Sequence, residues 1–174
     1  MTAIDPQQIT LLLSFFPEVS PPLVLSEDLA LTFSKSNAPL PMDLIVQTIA
    51  QWEELDEYTE IIPCLSLVIN DKHKGIIYWK GSLLSYQYTL ITILEEREII
   101  SRKIIAGTIS NGKTIKKSVA NIDEDLVIHS MVGESEINEN YNPHNSKAYS
   151  FEIRPDGQIV TSEEYNTIWE QEIK

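Results

Sequence analysis

A single cysteine, Cys64, stands in the chain, so no disulfide can form within it and nothing in its thiol content argues for export. Basic residues are scarce: 13 Lys and Arg against 26 Asp and Glu, a formal net charge of −13. Phosphate binding needs a basic field, so nucleic acid is not expected as a partner. Long apolar runs are missing too. A membrane span takes about 20 predominantly apolar residues, and no stretch approaches that, so no membrane association is expected. The opening segment MTAIDPQQITLLLSFFPEVS carries no early Lys or Arg, and Pro17 and Glu18 break its apolar run. It does not read as a signal peptide, and a cytoplasmic location is the expectation.

Motifs of established chemistry are also lacking. No GxGxxG, P-loop or GxSxG is present, so nucleotide binding and acyl transfer lack their local signatures. Neither H-x-x-x-H nor paired Cys/His spacing occurs. No metal and no cofactor is therefore expected, and whether the chain catalyses anything stays open.

What is present is the composition of an ordinary folded globule, 43% apolar and 22% charged over 174 residues, enough for one domain. Charge is unevenly spread. Residues 1–60 hold ten acids and one base, residues 61–120 four acids and nine bases, residues 121–174 twelve acids and three bases. Seven of nine prolines precede residue 64, and five of six glycines lie between 75 and 133. That shift predicts two layers.

The first layer, 1–60, reads as about three helices. Asp5-Pro6 is a cap followed by proline at the first helical position, with Ile9, Leu12, Leu13 and Phe16 at helical spacing up to Pro17. Ser26 can cap a second helix running to Asn37. Pro41 opens a third, with Leu44, Ile45, Thr48, Ile49, Trp52 and Leu55 on one face. The acids of Glu53-Glu54-Leu55-Asp56-Glu57 then fall at a helix C-terminus, where the macrodipole disfavours them.

From 61 to 162 the period changes from about 3.6 to 2, in segments rich in Ile, Val, Tyr and Thr. Four hairpins are predicted, with turns at 70–74, 95–98, 122–125 and 155–157. Asp156-Gly157 is a strong hairpin signal, and Asn111-Gly112 another. The spacing of the turns suggests a loosely repeated two-strand unit. In VANIDEDLVIHSMVGE (119–134), three acids precede an apolar run carrying His129. A calcium loop would show spaced acids, a central glycine and a distal glutamate, and none is there, so Asp123 to Asp125 are read as a turn. The last segment, 163–174, reads as a short helix that docks Tyr165, Ile168 and Trp169 on the sheet, with Thr161 and Glu164 spaced as a capping box.

The fold class is thus α+β: a helical layer, an antiparallel meander of about eight strands, and a terminal helix. Whether the sheet closes as a barrel or folds into two stacked layers is not separable by pattern. Cys64 follows Pro63 at a strand start, with no base or helix N-terminus in sequence reach, and reads as a buried small hydrophobe. His129 shares a sheet face with Val127 and Met131, while His73 and His144 fall in loops. Tyr78, Trp79, Tyr86 and Tyr88 cluster around one hairpin and, with His129, are the candidate ligand- or partner-binding residues, since large rings bury much area at little entropic expense. Arg102, Lys103, Lys113, Lys116 and Lys117 can form a basic surface on adjacent strands. Two functional classes are expected: first, a non-enzymatic interaction module whose acidic surface meets a basic protein partner or a second copy of itself; second, a small-ligand or enzymatic site in the mouth of the sheet.

Overall fold

The structure, a computed structural model, describes residues 4–136 and 146–170. Helix α1 (Pro6–Leu13) starts as its sequence requires: the Asp5 carboxylate accepts from the Gln7 backbone N–H at 2.9 Å, and Pro6 occupies the first turn. A short strand, β1 (Leu23–Leu25), follows. Helix α2 spans Leu29–Ser36 and α3 spans Met42–Gln47, continued by a single 3-10 turn, Ile49–Gln51. The expected run of α3 to Leu55 is corrected. Thr48 leaves helical geometry (φ −123°, ψ −84°) and turns its hydroxyl back onto the Leu44 carbonyl at 2.6 Å, a bond that competes with helix continuation. The acids from Glu53 onward therefore sit outside any helix, and the conflict with a macrodipole disappears.

The sheet is an antiparallel meander: β2 (Glu60–Val68), β3 (His73–Gly81), β4 (Ser85–Leu94), β5 (Glu98–Ser110), β6 (Thr114–Ile122), β7 (Val127–Glu136), β8 (Lys147–Ile153) and β9 (Ile159–Val160), hydrogen-bonded in that order. All four predicted turns are found. At Glu95-Glu96 both residues are left-handed (φ 51° and 58°), and the Leu94 carbonyl accepts from the Arg97 N–H at 2.9 Å, a hairpin turn with the twist its strands require. Asp123 builds its own turn: one carboxylate oxygen accepts from the N–H groups of Asp125 and Val127, at 2.9 and 3.0 Å. These acids shape a loop.

A ninth strand was not expected. Strand β5 pairs with β6 only through 107–110, and beyond that point β1 takes over the edge of β6, placing Leu23, Val24 and Leu25 opposite Ile122, Asn121 and Ala120. The edge that β5 leaves free receives the other end of the sheet. The Ile159 N–H reaches the Ser101 hydroxyl at 3.4 Å, and the Tyr165 hydroxyl donates to the Ile104 carbonyl at 3.0 Å. One core accordingly joins Leu65 and Leu67 of β2, Tyr88 and Leu90 of β4, Ile128 of β7 and Phe151 of β8. The sheet curls over on itself without a ladder between its first and last strands among the described residues.

The second core lies on the opposite face of β3 and β4. There Ile76, Tyr78, Ile91 and Ile93 pack under Ile9, Leu12 and Phe16 from α1 and Leu44, Ile45 and Ile49 from the α3 region. Both faces of these two strands are thus buried, which explains their near-continuous apolar sequence. Helix α4 (Glu163–Glu170) seats Tyr165 and Trp169 in the first core, with Ile168 partly buried beside them. Its start differs from expectation: the Ser162 hydroxyl accepts from the Tyr165 N–H at 3.3 Å, whereas the Thr161 hydroxyl is buried without a partner. Residues 171–174 of the predicted helix, and His144, lie outside the described residues. No helix among the described residues is long and apolar enough to cross a membrane.

Candidate functional site

Period-two alternation puts Tyr78 and Lys80 of β3 on the face that meets the helical layer. Cross-strand register adds Arg102 of β5, which stands opposite Ile91, itself opposite Ile76. Into this face drops Glu53, released from α3 by the break at Thr48. Its side chain is only 1% exposed, and it is fully engaged. One carboxylate oxygen accepts from the Tyr78 hydroxyl at 2.6 Å and from Arg102 Nη2 and Nε at 2.7 and 3.1 Å; the other accepts from Lys80 Nζ at 2.9 Å. The Trp52 indole N–H donates to the Tyr78 oxygen at 3.0 Å, so five side chains form one connected network.

Burial of Glu53 alone would raise its pKa, because desolvation penalises the charged form. The Arg102 charge and the hydrogen bonds from Tyr78, Lys80 and Arg102 outweigh that effect and hold the carboxyl below its ordinary value. Tyr78 moves the other way: burial, then the neighbouring Glu53 charge, push its phenol up, so it remains a donor at neutral pH.

This network floors a cleft of about 860 Å³. One wall is the segment Trp52 to Asp56; another is α4, through Asn166 and Trp169; Lys80, Ser82, Ser85 and Gln87 come from the β3–β4 hairpin. Three consecutive residues of β5, Arg102, Lys103 and Ile104, line it together. Neighbours in a strand point to opposite faces, so the cleft wraps the edge of β5 that β6 does not cover. Lys103 reaches Asn166 at 3.3 Å. Ser82 and Ser85 bond each other at 3.0 Å.

The residues proposed from sequence are divided by this geometry. Tyr78 belongs to the network under the cleft. Trp79, Tyr86 and Tyr88 lie on the other face of the same hairpin: Trp79 stacks obliquely on Tyr86 at 5.9 Å, the Tyr86 hydroxyl bonds Glu27, and Tyr88 is buried with its hydroxyl on the Ser26 carbonyl at 2.7 Å. The four rings are not one patch. His129 is further away still, on the exposed face of β7, between Asp123 and Ser150, each at 3.1 Å. Nor do the five cations form one basic surface: Arg102 and Lys103 are drawn into the cleft, while Lys117 pairs with Glu27 at 3.4 Å. Cys64 is buried, and burial pushes its thiol up, which leaves it protonated and unreactive at neutral pH. The residue that sequence reading missed is Glu53. Its one signal was being an acid placed where a helix end would disfavour it.

Comparison with known proteins adds no constraint: no family model, no curated protein and no solved structure matches the chain.

Proposed function

We propose that this chain binds a small ligand in the cleft above Glu53. The observation that supports this reading is the convergence of a buried carboxylate and two cations at the floor of a cavity of about 860 Å³. Ligand pockets run to roughly 300–1,000 Å³ and combine apolar walls with a few placed polar groups. Trp52, Leu55, Ile104 and Trp169 supply the walls here; Gln87, Asn166 and the two serines supply polar groups. No histidine or cysteine lines the cleft among the described residues, so the proposal is binding, without an assigned reaction.

The interaction-module reading rests on the net charge of −13 and on the outer face of β6 and β7, where Val119 and Met131 stand opposite each other, 42% and 51% exposed. Even with Val24, 51% exposed on the same face opposite Asn121, three side chains are little beside the ~800 Å² per partner of a standard interface, so the cleft is preferred. A cytoplasmic setting, and the exclusion of nucleic acid, belong to the same proposal on the grounds of the lone cysteine and the negative charge.

The test is ligand-observed NMR with a library of small metabolites against the wild type and a Ser85→Trp variant that fills the cleft. Ligands lost in the variant support the proposal. A library without any cleft-dependent ligand overturns it.

A further inference from the structure

We infer that the ligand of this cleft is a small organic acid with one negative charge, its acid group set against Lys80 and Arg102 and its apolar body against Trp52 and Trp169. The inference rests on the reading of the cleft as a ligand site and adds the chemical class.

It begins with charge. At the floor, Glu53 brings one negative charge and Lys80 and Arg102 bring two positive ones, so the network carries a surplus of one positive charge when complete. Lys103, on the other face of β5, bonds the neutral amide of Asn166 and adds a second, while Glu54 and Asp56 bring the whole lining back to zero, so the positive surplus is local to the floor. Donor capacity points the same way. A guanidinium has five N–H groups in a fixed fork. Arg102 gives Glu53 only Nε and Nη2, and both go to a single carboxylate oxygen. Its Nη1 takes no part in either of those two bonds, and its side chain is 38% exposed, so a donor edge is accessible. Lys80 likewise spends one of three hydrogens on Glu53. A carboxylate against these donors makes charge-assisted bonds, roughly twice as strong as neutral ones.

The rim limits how much charge is welcome. Glu54 and Asp56 line the same cleft, both exposed, and one Asp56 oxygen is already held by the Tyr58 N–H and the Thr59 hydroxyl at 2.9 Å each. In water their repulsion is weak at a distance, but it grows with each added ligand charge. A polyphosphate or polyacid is thereby disfavoured against a single acid. The remaining wall is aromatic and aliphatic, which fits a ring or a short hydrocarbon body.

The test uses the intact chain and four ring-bearing probes: benzoate, phenyl phosphate, benzyl alcohol and benzylamine, titrated while the three indole N–H resonances are followed by NMR. Trp79 lies on the opposite face of β3 and serves as an internal control. Benzoate is expected to move the Trp52 and Trp169 signals, to leave Trp79 in place, and to bind at least tenfold more tightly than benzyl alcohol or benzylamine. Arg102→Lys, which retains the charge beside Glu53 but loses the fork, should weaken benzoate by about tenfold. Lys103→Met removes a cation that lies on the other face of β5 and bonds a neutral amide, and it should weaken benzoate by less than Arg102→Lys does. If no probe moves Trp52 or Trp169, the cleft reading falls and the acid assignment with it. If benzyl alcohol or benzylamine matches benzoate, or if neither variant weakens it, the acid assignment alone is overturned. Phenyl phosphate binding more tightly than benzoate overturns the single-charge limit.

Discussion

Replacing Glu53 by glutamine preserves the shape of the buried network and removes only its charge, so the change isolates what that charge contributes. The amide oxygen can still accept from Tyr78 and Arg102, but the amide nitrogen faces Lys80 Nζ, which is 16% exposed and loses its acceptor. A charge-assisted hydrogen bond in such a place is worth about 1.5–3 kcal/mol. The Arg102 side chain, 38% exposed, is screened by water, and its share is less than about 1 kcal/mol. Together the substitution should destabilise the fold by roughly 2–4 kcal/mol at pH 7, which for a chain of this size lowers Tm by roughly 5–15 °C. A pH signature follows. The folded-state pKa of Glu53 is depressed below its ordinary 4.5, so its stabilisation is complete above that value and is lost as pH falls through the folded-state pKa. The Tm gap between wild type and Glu53→Gln should therefore be widest near neutrality and should close on acidification below about pH 4.5. Calorimetric melts of both proteins between pH 7 and pH 3 make the measurement. A gap under about 2 °C at pH 7, or one that does not narrow in acid, would refute the account of the network.

Three other outcomes are expected. The left-handed Glu95-Glu96 turn should accept Asn-Gly with a gain of about 1 kcal/mol after loss of the exposed Lys74–Glu96 pair, read as a rise in Tm. Trp169→Ala, which empties a site in the first core, should lower stability by about 3–5 kcal/mol in urea unfolding, and an unchanged midpoint would count against α4 as a docked element. Glu124→Gln and Asp125→Asn should alter stability by no more than about 0.5 kcal/mol, whereas Asp123→Ala should lower Tm further than either through the lost turn bonds, and divalent cations should not raise the Tm of any of them.

The meander was readable because its information is local. Asp156-Gly157 and Asn111-Gly112 name their turns, and alternation such as Ile128, Ser130, Val132 against His129, Met131 names the buried face before any partner is known. Helix α1 was equally plain, since Asp5 and Pro6 mark its start. What escaped depends on partners remote in sequence. Leu23–Leu25 is too short to carry a period, and it becomes a strand only because β5 leaves β6 part-way. The tyrosine cluster looked like one patch because four rings crowd eleven positions, yet alternation sends Tyr78 to one face and Trp79 and Tyr88 to the other. The same arithmetic would not have put Lys80 and Arg102 on one face, because the β4–β5 ladder shifts register twice, at Tyr88/Thr89 and at Thr92/Ile93. It would not have supplied Glu53, whose place depends on where α3 stops.

The pairing of β1 with β6 also sets an order of events during synthesis. Residues 23–25 leave the ribosome about 100 residues ahead of 120–122, and at 5–20 residues per second that is a wait of roughly 5–20 s. Through that interval the helical segments can settle only on the first hairpins, while β1 has no edge to join. The nascent chain therefore carries an unpaired strand until its second half emerges, and the seam between the two halves of the sheet is the last part of the β1–β6 region that synthesis can complete.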